Sequence, residues 1–183
     1  MKTHIYIDAS NLLVEFGKHV DLPVRADEPT KLLAHFIYEL VTRSIAFQRI
    51  DIQRVYWFGS HRCSTEEALK YKKIIRSENF EPVLLKRPQG KGEKGVDIAM
   101  ATEMMSCAFN NQCDISVIVV GDEDYAPVVR EIRRTGHEVI MMFFEIPSSD
   151  ILRIECDRFI PLDELALSVG IWIKQEMEKE SKT

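Results

Sequence analysis

The stretch ISVIVVGDEDYAPVVREIRRTGHEVIMMFF (115–144) holds a strand pattern, an acidic turn, a helix pattern and a second strand pattern in succession. ISVIVV (115–120) is nearly continuous in β-branched residues, which is typical of a strand buried on both faces. APVVREIRRTGH (126–137) has helical spacing and reaches Gly136, a residue type that commonly ends helices. EVIMMFF (138–144) is again strand-like. This segment therefore predicts one strand–helix–strand unit of a parallel sheet.

The same alternation extends over the rest of the chain. Further strand patterns are HIYID (4–8), RVYWFG (54–59), PVLLK (82–86) and RFIPL (158–162). Helical patterns cover 29–47, 64–80, 96–109 and 171–183. Pro161 lies in the last strand pattern and favours a sheet edge, since proline lacks a ladder N–H. The pattern predicts an α/β fold, a mostly parallel sheet with helices on both faces.

Composition narrows the class of protein. With 183 residues, 45% hydrophobic and 29% charged, the chain matches one soluble globular domain. No apolar run approaches the ~20 residues of a membrane span, and no signal peptide is recognised, so we expect a cytoplasmic protein. The four cysteines form no C-x-x-C pair. They predict free thiols and neither a disulfide framework nor a zinc site.

Acidic residues follow the predicted strands where ligands usually bind in open α/β sheets, beyond the carboxyl ends. Asp8 ends the first strand pattern, and Asp122 and Asp124 come directly after 115–121. Asp97 opens the helix after a glycine-rich loop. Crowded carboxylates repel, and a hard divalent cation removes that conflict because carboxylate oxygens are its preferred ligands. Each acid alone has a second explanation as a helix or turn cap. Together they predict a metal site, with Asn11 beside it.

These segments resemble the NYN domains, a branch of the PIN-like nuclease superfamily. The resemblance is carried, in order, by IYIDASNLL (5–13), KGEKGVDIAMATEMM (91–105), VIVVGDEDYAPVVREIRRTGHEVI (117–140) and SSDILRIECDRFIPLDEL (148–165). We expect an NYN/PIN-like nuclease domain over 1–165 and a C-terminal helix with a charged tail over 166–183. Val120 replaces a serine common in the family, and Tyr125 replaces the usual phenylalanine.

The resemblance implies a Rossmann-like three-layer αβα sandwich with five or six mostly parallel strands. It also implies a ribonuclease that hydrolyses RNA phosphodiesters by metal-activated water, with Mg²⁺ or Mn²⁺. The catalytic residues would be Asp8, Asn11, Asp97, Asp122 and Asp124, of which the four aspartates would be the metal ligands.

Substrate contacts are expected from basic residues around this site. Arg87, Lys91 and Lys94 lie in the 86–95 loop, and Arg130 follows Asp124 on the next helix. Ser10 lies beside the site. The net charge of −5 argues mildly against a nucleic-acid partner, but such a local basic stretch can supply phosphate contacts.

Two other functions fit the same residues. The domain could bind RNA or protein without catalysis and keep a vestigial metal site. It could also be an Asp- and metal-dependent phosphatase, although the Asp-x-Asp pair of such enzymes follows the first strand and here it comes late. The amphipathic tail from Ile171 could form a homodimer surface or pack on its own domain.

Overall fold

Two central strands, β1 (Lys2–Asp8) and β4 (Ile115–Val119), organise the sheet. The computed structural model describes residues 1–25, 27–46, 50–87 and 95–180. Within these ranges the sheet has six strands in the order β3-β2-β1-β4-β5-β6. The other strands are β2 (Asp51–His61), β3 (Glu81–Lys86), β5 (Glu138–Phe143) and β6 (Arg158–Pro161). Every adjacent pair is parallel.

Helices connect these strands. They are α1 (Ala9–Val20), α2 (Lys31–Ile45), α3 (Thr65–Ser77), α4 (Val96–Phe109), α5 (Ala126–Arg134), α6 (Asp150–Glu155) and α7 (Asp163–Glu180). A short 3-10 helix, Glu123–Tyr125, precedes α5. The arrangement confirms the Rossmann-like three-layer αβα sandwich, with six strands in the described part of the chain.

The strand order reverses between β1 and β4. Chain order runs outward from β1 to β3 on one side and from β4 to β6 on the other. Ile7 pairs with Trp57 of β2 and with Val119 of β4, so Asp8 and the residues after β4 leave the same edge side by side. In open α/β sheets this reversal creates a crevice at the carboxyl ends of the strands.

The core forms where the sequence is most apolar. All five residues of β4 are buried, and β1 is buried from Thr3 onward. Trp57 and Phe58 of β2 are also buried in the core. β6 is an edge strand, as Pro161 indicated. Burial on both faces of β1 and β4 holds the carboxyl ends of these strands in place.

Two helices were absent from our predictions. α1 follows β1 with no linker, and Asp8 is both the last residue of the strand and the N-cap of the helix. We assigned no helix to ASNLL (9–13), yet Leu12, Leu13 and Phe16 lie on the buried face of α1. The short α6 was also missed. A helix that begins where a strand ends leaves no turn residues to mark its start.

The C-terminal helix begins at Asp163, ahead of the predicted segment 166–183 and of the helical pattern noted from 171. Ala166, Val169 and Ile173 are buried, and α7 packs on α1 and α2. At Gly170 an added Cβ would lie 2.6 Å from Val20, so the two helices approach closely. The expected boundary between 165 and 166 falls inside this helix. None of the helices in the described part of the chain combines the length and apolar character needed to cross a membrane.

The cysteines differ from prediction as well. Cys107 and Cys113 are joined as a disulfide, and Cys63 and Cys156 are free. Cys107 lies in the last turn of α4, and the chain reverses before β4, which brings the two Cα atoms to 6.2 Å. A separation of six residues with no C-x-x-C motif concealed this proximity, because it depends on the tight reversal between α4 and β4.

Candidate functional site

Asp8 is held by the junction between β1 and α1. It is buried, with 6% of its surface exposed. Its carboxylate accepts a hydrogen bond of 3.0 Å from the backbone N–H of Asn11. This is an N-cap interaction, which satisfies one of the free donors at the start of a helix. The strand and the cap together fix the position of this carboxylate at the sheet edge.

Asn11 joins the ends of the two central strands. Its side-chain oxygen accepts a hydrogen bond of 2.9 Å from the backbone N–H of Gly121. Gly121 itself has no room for a side chain, because a Cβ would lie 2.6 Å from Cδ1 of Phe143. Asn11 therefore acts on the backbone after β4, and it sets where the following acidic turn begins.

Asp122 and Asp124 form that turn. Asp122 is the N-cap of the 3-10 helix, and its Oδ1 accepts a hydrogen bond of 3.1 Å from the backbone N–H of Asp124. Both residues are exposed. Asp124 thus contacts Asp122 through its backbone N–H. The carboxylate of the exposed Asp124 takes no part in this contact.

Tyr125 lies among the acids, and sequence reasoning had treated it as a minor departure from the family pattern. It is almost fully buried, and its hydroxyl donates to Oδ1 of Asp97 at 3.3 Å. Burial raises the pKa of Tyr125 well above its usual range, and the charges of Asp8, Asp97 and Asp122 raise it further. The hydroxyl therefore stays protonated and remains a donor. Acids from three separate chain segments converge on this one side chain.

The donor set suits a hard divalent cation. Carboxylate oxygens are the ligands that Mg²⁺ and Mn²⁺ prefer, and three negative charges near one buried hydroxyl need a counter-charge. Among the described residues, the group of potential metal ligands whose ligand atoms all lie within 4.8 Å of one another is not formed by these acids. That group lies elsewhere, around His4. The carboxylates of Asp8, Asp97, Asp122 and Asp124, here called the acidic rim, are thus more widely spaced than the ligands of a closed metal site. Mg²⁺ tolerates this spacing because it usually keeps several waters.

The predicted substrate-binding residues fall into different places. Arg87 follows β3 at the carboxyl edge, where Nε and Nη2 donate to Oγ of Ser60 at 3.0 and 2.7 Å. Ser60 is buried near the end of β2 and had not been singled out from the sequence. Ser10 lies in the first turn of α1. Lys91 and Lys94 lie outside the described residues.

Arg130 is placed differently from expectation. It is exposed on α5, and its guanidinium donates to Oε1 of Glu155 at the end of α6. This ion pair joins two helices beside the 3-10 turn. The structure therefore gives Arg130 a carboxylate partner outside the acidic rim.

Comparison with known proteins supports the family and the fold. The family model for the NYN domain matches residues 2–163. Three solved chains match the fold. One is a crystal structure of a protein of unknown function from Vibrio parahaemolyticus RIMD 2210633, with a TM-score of 0.63 and 18% identity, covering 89% of this chain and 93% of that one. At that identity the likeness concerns the fold alone. No curated protein matches the sequence.

Proposed function

The chain belongs to the NYN domain family, within the PIN-like nuclease superfamily, and from this premise we propose that it is a divalent-metal-dependent ribonuclease. The observation that carries the proposal is the convergence of Asp8, Asp97 and Asp122 around the buried hydroxyl of Tyr125. Nucleases of this superfamily generally use divalent metals. RNA as the substrate rests on the family membership.

Asp8, Asp97 and Asp122 would hold the cation, and Asp124 would reach it or its water shell from the same turn. A bound Mg²⁺ or Mn²⁺ supplies a Lewis acid that polarises the phosphodiester and acidifies water. Asp8 is the most rigid of the ligands, since the strand end and the cap both hold it. The hydroxyl of Tyr125 donates to Asp97 and so limits the rotation of that carboxylate.

The charge of the rim explains why the cation would be obligatory. Without it, carboxylates at the carboxyl edge repel an approaching phosphodiester. Arg87 provides a positive charge at the same edge, oriented by Ser60. Lys91 and Lys94 are proposed to add phosphate contacts. Arg130 would have to leave Glu155 to do so. Contacts of this kind predict that RNA affinity falls as salt is added.

The decisive test compares Asp122→Asn with Glu123→Gln. Asparagine keeps an oxygen that can accept from the N–H of Asp124, so the turn should persist while the charge is lost. Glu123 is the adjacent exposed acid and is not part of the proposed ligand set. We expect Asp122→Asn to lower the rate of RNA cleavage in Mn²⁺ at least ~100-fold, about 2.7 kcal/mol of transition-state stabilisation. Glu123→Gln should cleave like the wild type.

Other outcomes would assign a different function. Equal cleavage by folded Asp122→Asn and wild type would refute the nuclease site. RNA binding without cleavage, in the presence of Mg²⁺ or Mn²⁺, would favour a non-catalytic domain with a vestigial metal site. Hydrolysis of a small phosphomonoester without oligonucleotide cleavage would favour a phosphatase.

A homodimer through α7 also stays a prediction. Leu167 and Ile171 are exposed on that helix, and light scattering of the full chain tests whether it forms a dimer.

A further inference from the structure

A second group of metal-ligating side chains lies at the opposite edge of the sheet from the acids. His4 is near the start of β1, Cys107 is near the end of α4, and Cys113 precedes β4. All three are buried, with exposed fractions of 4%, 0% and 3%. Their ligand atoms all lie within 4.8 Å of one another. The amino ends of β1 and β4 are thus joined by one nitrogen and two sulfur donors.

The imidazole of His4 is aimed at the sulfur atoms. Its Nδ1 lies 3.3 Å from Sγ of Cys107. The imidazole is therefore oriented toward the sulfur atoms as a metal ligand would be.

A fourth donor lies beside the cluster. Nε2 of His137, in the turn before β5, is 3.7 Å from Sγ of Cys113 and 3.0 Å from Oγ of Ser116. Two thiolates and two imidazoles make up the Cys₂His₂ set of four-coordinate structural zinc sites.

Two cavities lie beside the cluster. His4 lines a cavity of about 820 Å³ that also contacts Lys2 and Arg54. Cys113 and His137 line another cavity of about 500 Å³.

We propose that the reduced cluster of His4, Cys107 and Cys113 binds one Zn²⁺ ion, and that His137, whose Nε2 lies 3.7 Å from Sγ of Cys113 but outside the group of mutually close ligand atoms, turns in as the fourth ligand. Thiolate and imidazole donors select soft or borderline ions over Mg²⁺. A dithiol reductant converts the Cys107–Cys113 disulfide to two thiols by giving up two electrons and two protons, and Zn²⁺ binding then releases those two thiol protons. The ion would tie the end of α4 to β1 and β4. This site is separate from the acidic rim and does not depend on the proposed nuclease activity.

Cobalt substitution tests this directly. The full chain, reduced and freed of metal, is titrated with Co²⁺ under nitrogen. We expect one equivalent to produce the near-ultraviolet thiolate-to-cobalt charge-transfer band and the intense visible bands of a tetrahedral ion, and Zn²⁺ to abolish both. Cys107→Ser and Cys113→Ser should each lose the charge-transfer intensity. Cys156→Ser removes a buried free thiol outside the cluster and should keep it.

The wild-type titration keeps the test valid even if a serine variant fails to fold. A folded, reduced wild type that shows no tetrahedral cobalt bands would overturn the proposal. So would an intact mass that stays two hydrogens short under strong reductant, because the disulfide would then be permanent. Equal charge-transfer intensity in wild type and Cys113→Ser would also overturn it.

Discussion

Tyr125 is the residue at which the acidic rim becomes one site. Its buried hydroxyl donates a hydrogen bond to Asp97. The negative charges of Asp8, Asp97 and Asp122 raise the pKa of Tyr125. The hydroxyl is a donor that does not ionise in the ordinary pH range. Its hydrogen bond to Asp97 orients that carboxylate.

We expect the Tyr125→Phe variant to fold and to keep its RNA-cleavage activity. Phenylalanine fills the same space and loses one hydrogen bond, which is worth about 0.5–1.5 kcal/mol. The Mn²⁺ concentration for half-maximal cleavage should rise by less than about tenfold, since ~1.4 kcal/mol corresponds to a factor of ten. A metal titration of the cleavage rate measures this shift.

Asp97→Asn is the matched comparison. It removes a proposed ligand and keeps an oxygen that can accept from Tyr125, so its loss of activity should be far larger. If the two variants were equally inactive, the hydroxyl of Tyr125 would take part in more than orientation.

Among elements, the junction between β4 and the 3-10 helix depends on Gly121. A methyl group there would clash with the ring of Phe143, lying 2.6 Å from its Cδ1, and would lie 3.1 Å from the backbone oxygen of Pro147. Neither the buried ring nor the backbone can move aside easily. The N–H of Gly121 also donates to Asn11, so a shift of this backbone would disturb the link between β4 and α1.

We therefore expect Gly121→Ala to destabilise the fold by about 1–3 kcal/mol, the usual cost of overpacking. Urea denaturation followed by circular dichroism measures the change in free energy of unfolding. Gly59→Ala in β2 is the control, because a Cβ there would meet its neighbours at 3.5 Å or more. Equal stability of the two variants would contradict the close packing at Gly121.

On the scale of the whole molecule, the parallel sheet separates two kinds of donor. Hard carboxylates lie at the carboxyl edge, and sulfur and imidazole lie at the amino edge. Mg²⁺ distinguishes the edges, since it binds oxygen donors and not thiolates. A cation that binds only the folded state stabilises it by mass action.

We expect Mg²⁺ or Mn²⁺ to raise the melting temperature of the wild type. At 100 times the dissociation constant the stabilisation is about 2.7 kcal/mol, or roughly 5–10 °C for a domain of this size. Asp8→Asn combined with Asp122→Asn should abolish the Mg²⁺ effect, because two of the ligands are lost. Differential scanning fluorimetry with and without EDTA measures it. The same rise in wild type and double variant would place the cation elsewhere.

The sequence by itself determined the layered α/β fold and the edge of the sheet at which the acidic residues lie. ISVIVV (115–120) and HIYID (4–8) are strands because β-branched and apolar side chains suit strands buried on both faces. Asp8 and Asp122 were predicted at one edge because each directly follows a strand, and parallel strands end together. The NYN resemblance was also contained in these local motifs. Local spacing was sufficient for each of these inferences.

The tertiary structure alone decided which side chains meet. The contacts of Asn11 with Gly121 and of Tyr125 with Asp97 join positions 110 and 28 residues apart. It likewise paired Cys107 with Cys113 and brought both to His4, where the sequence predicted free thiols. Such contacts depend on the order of strands and on side-chain rotamers selected by packing. Neither is encoded by the period of apolar residues along the chain, which specifies only the face of each element that becomes buried.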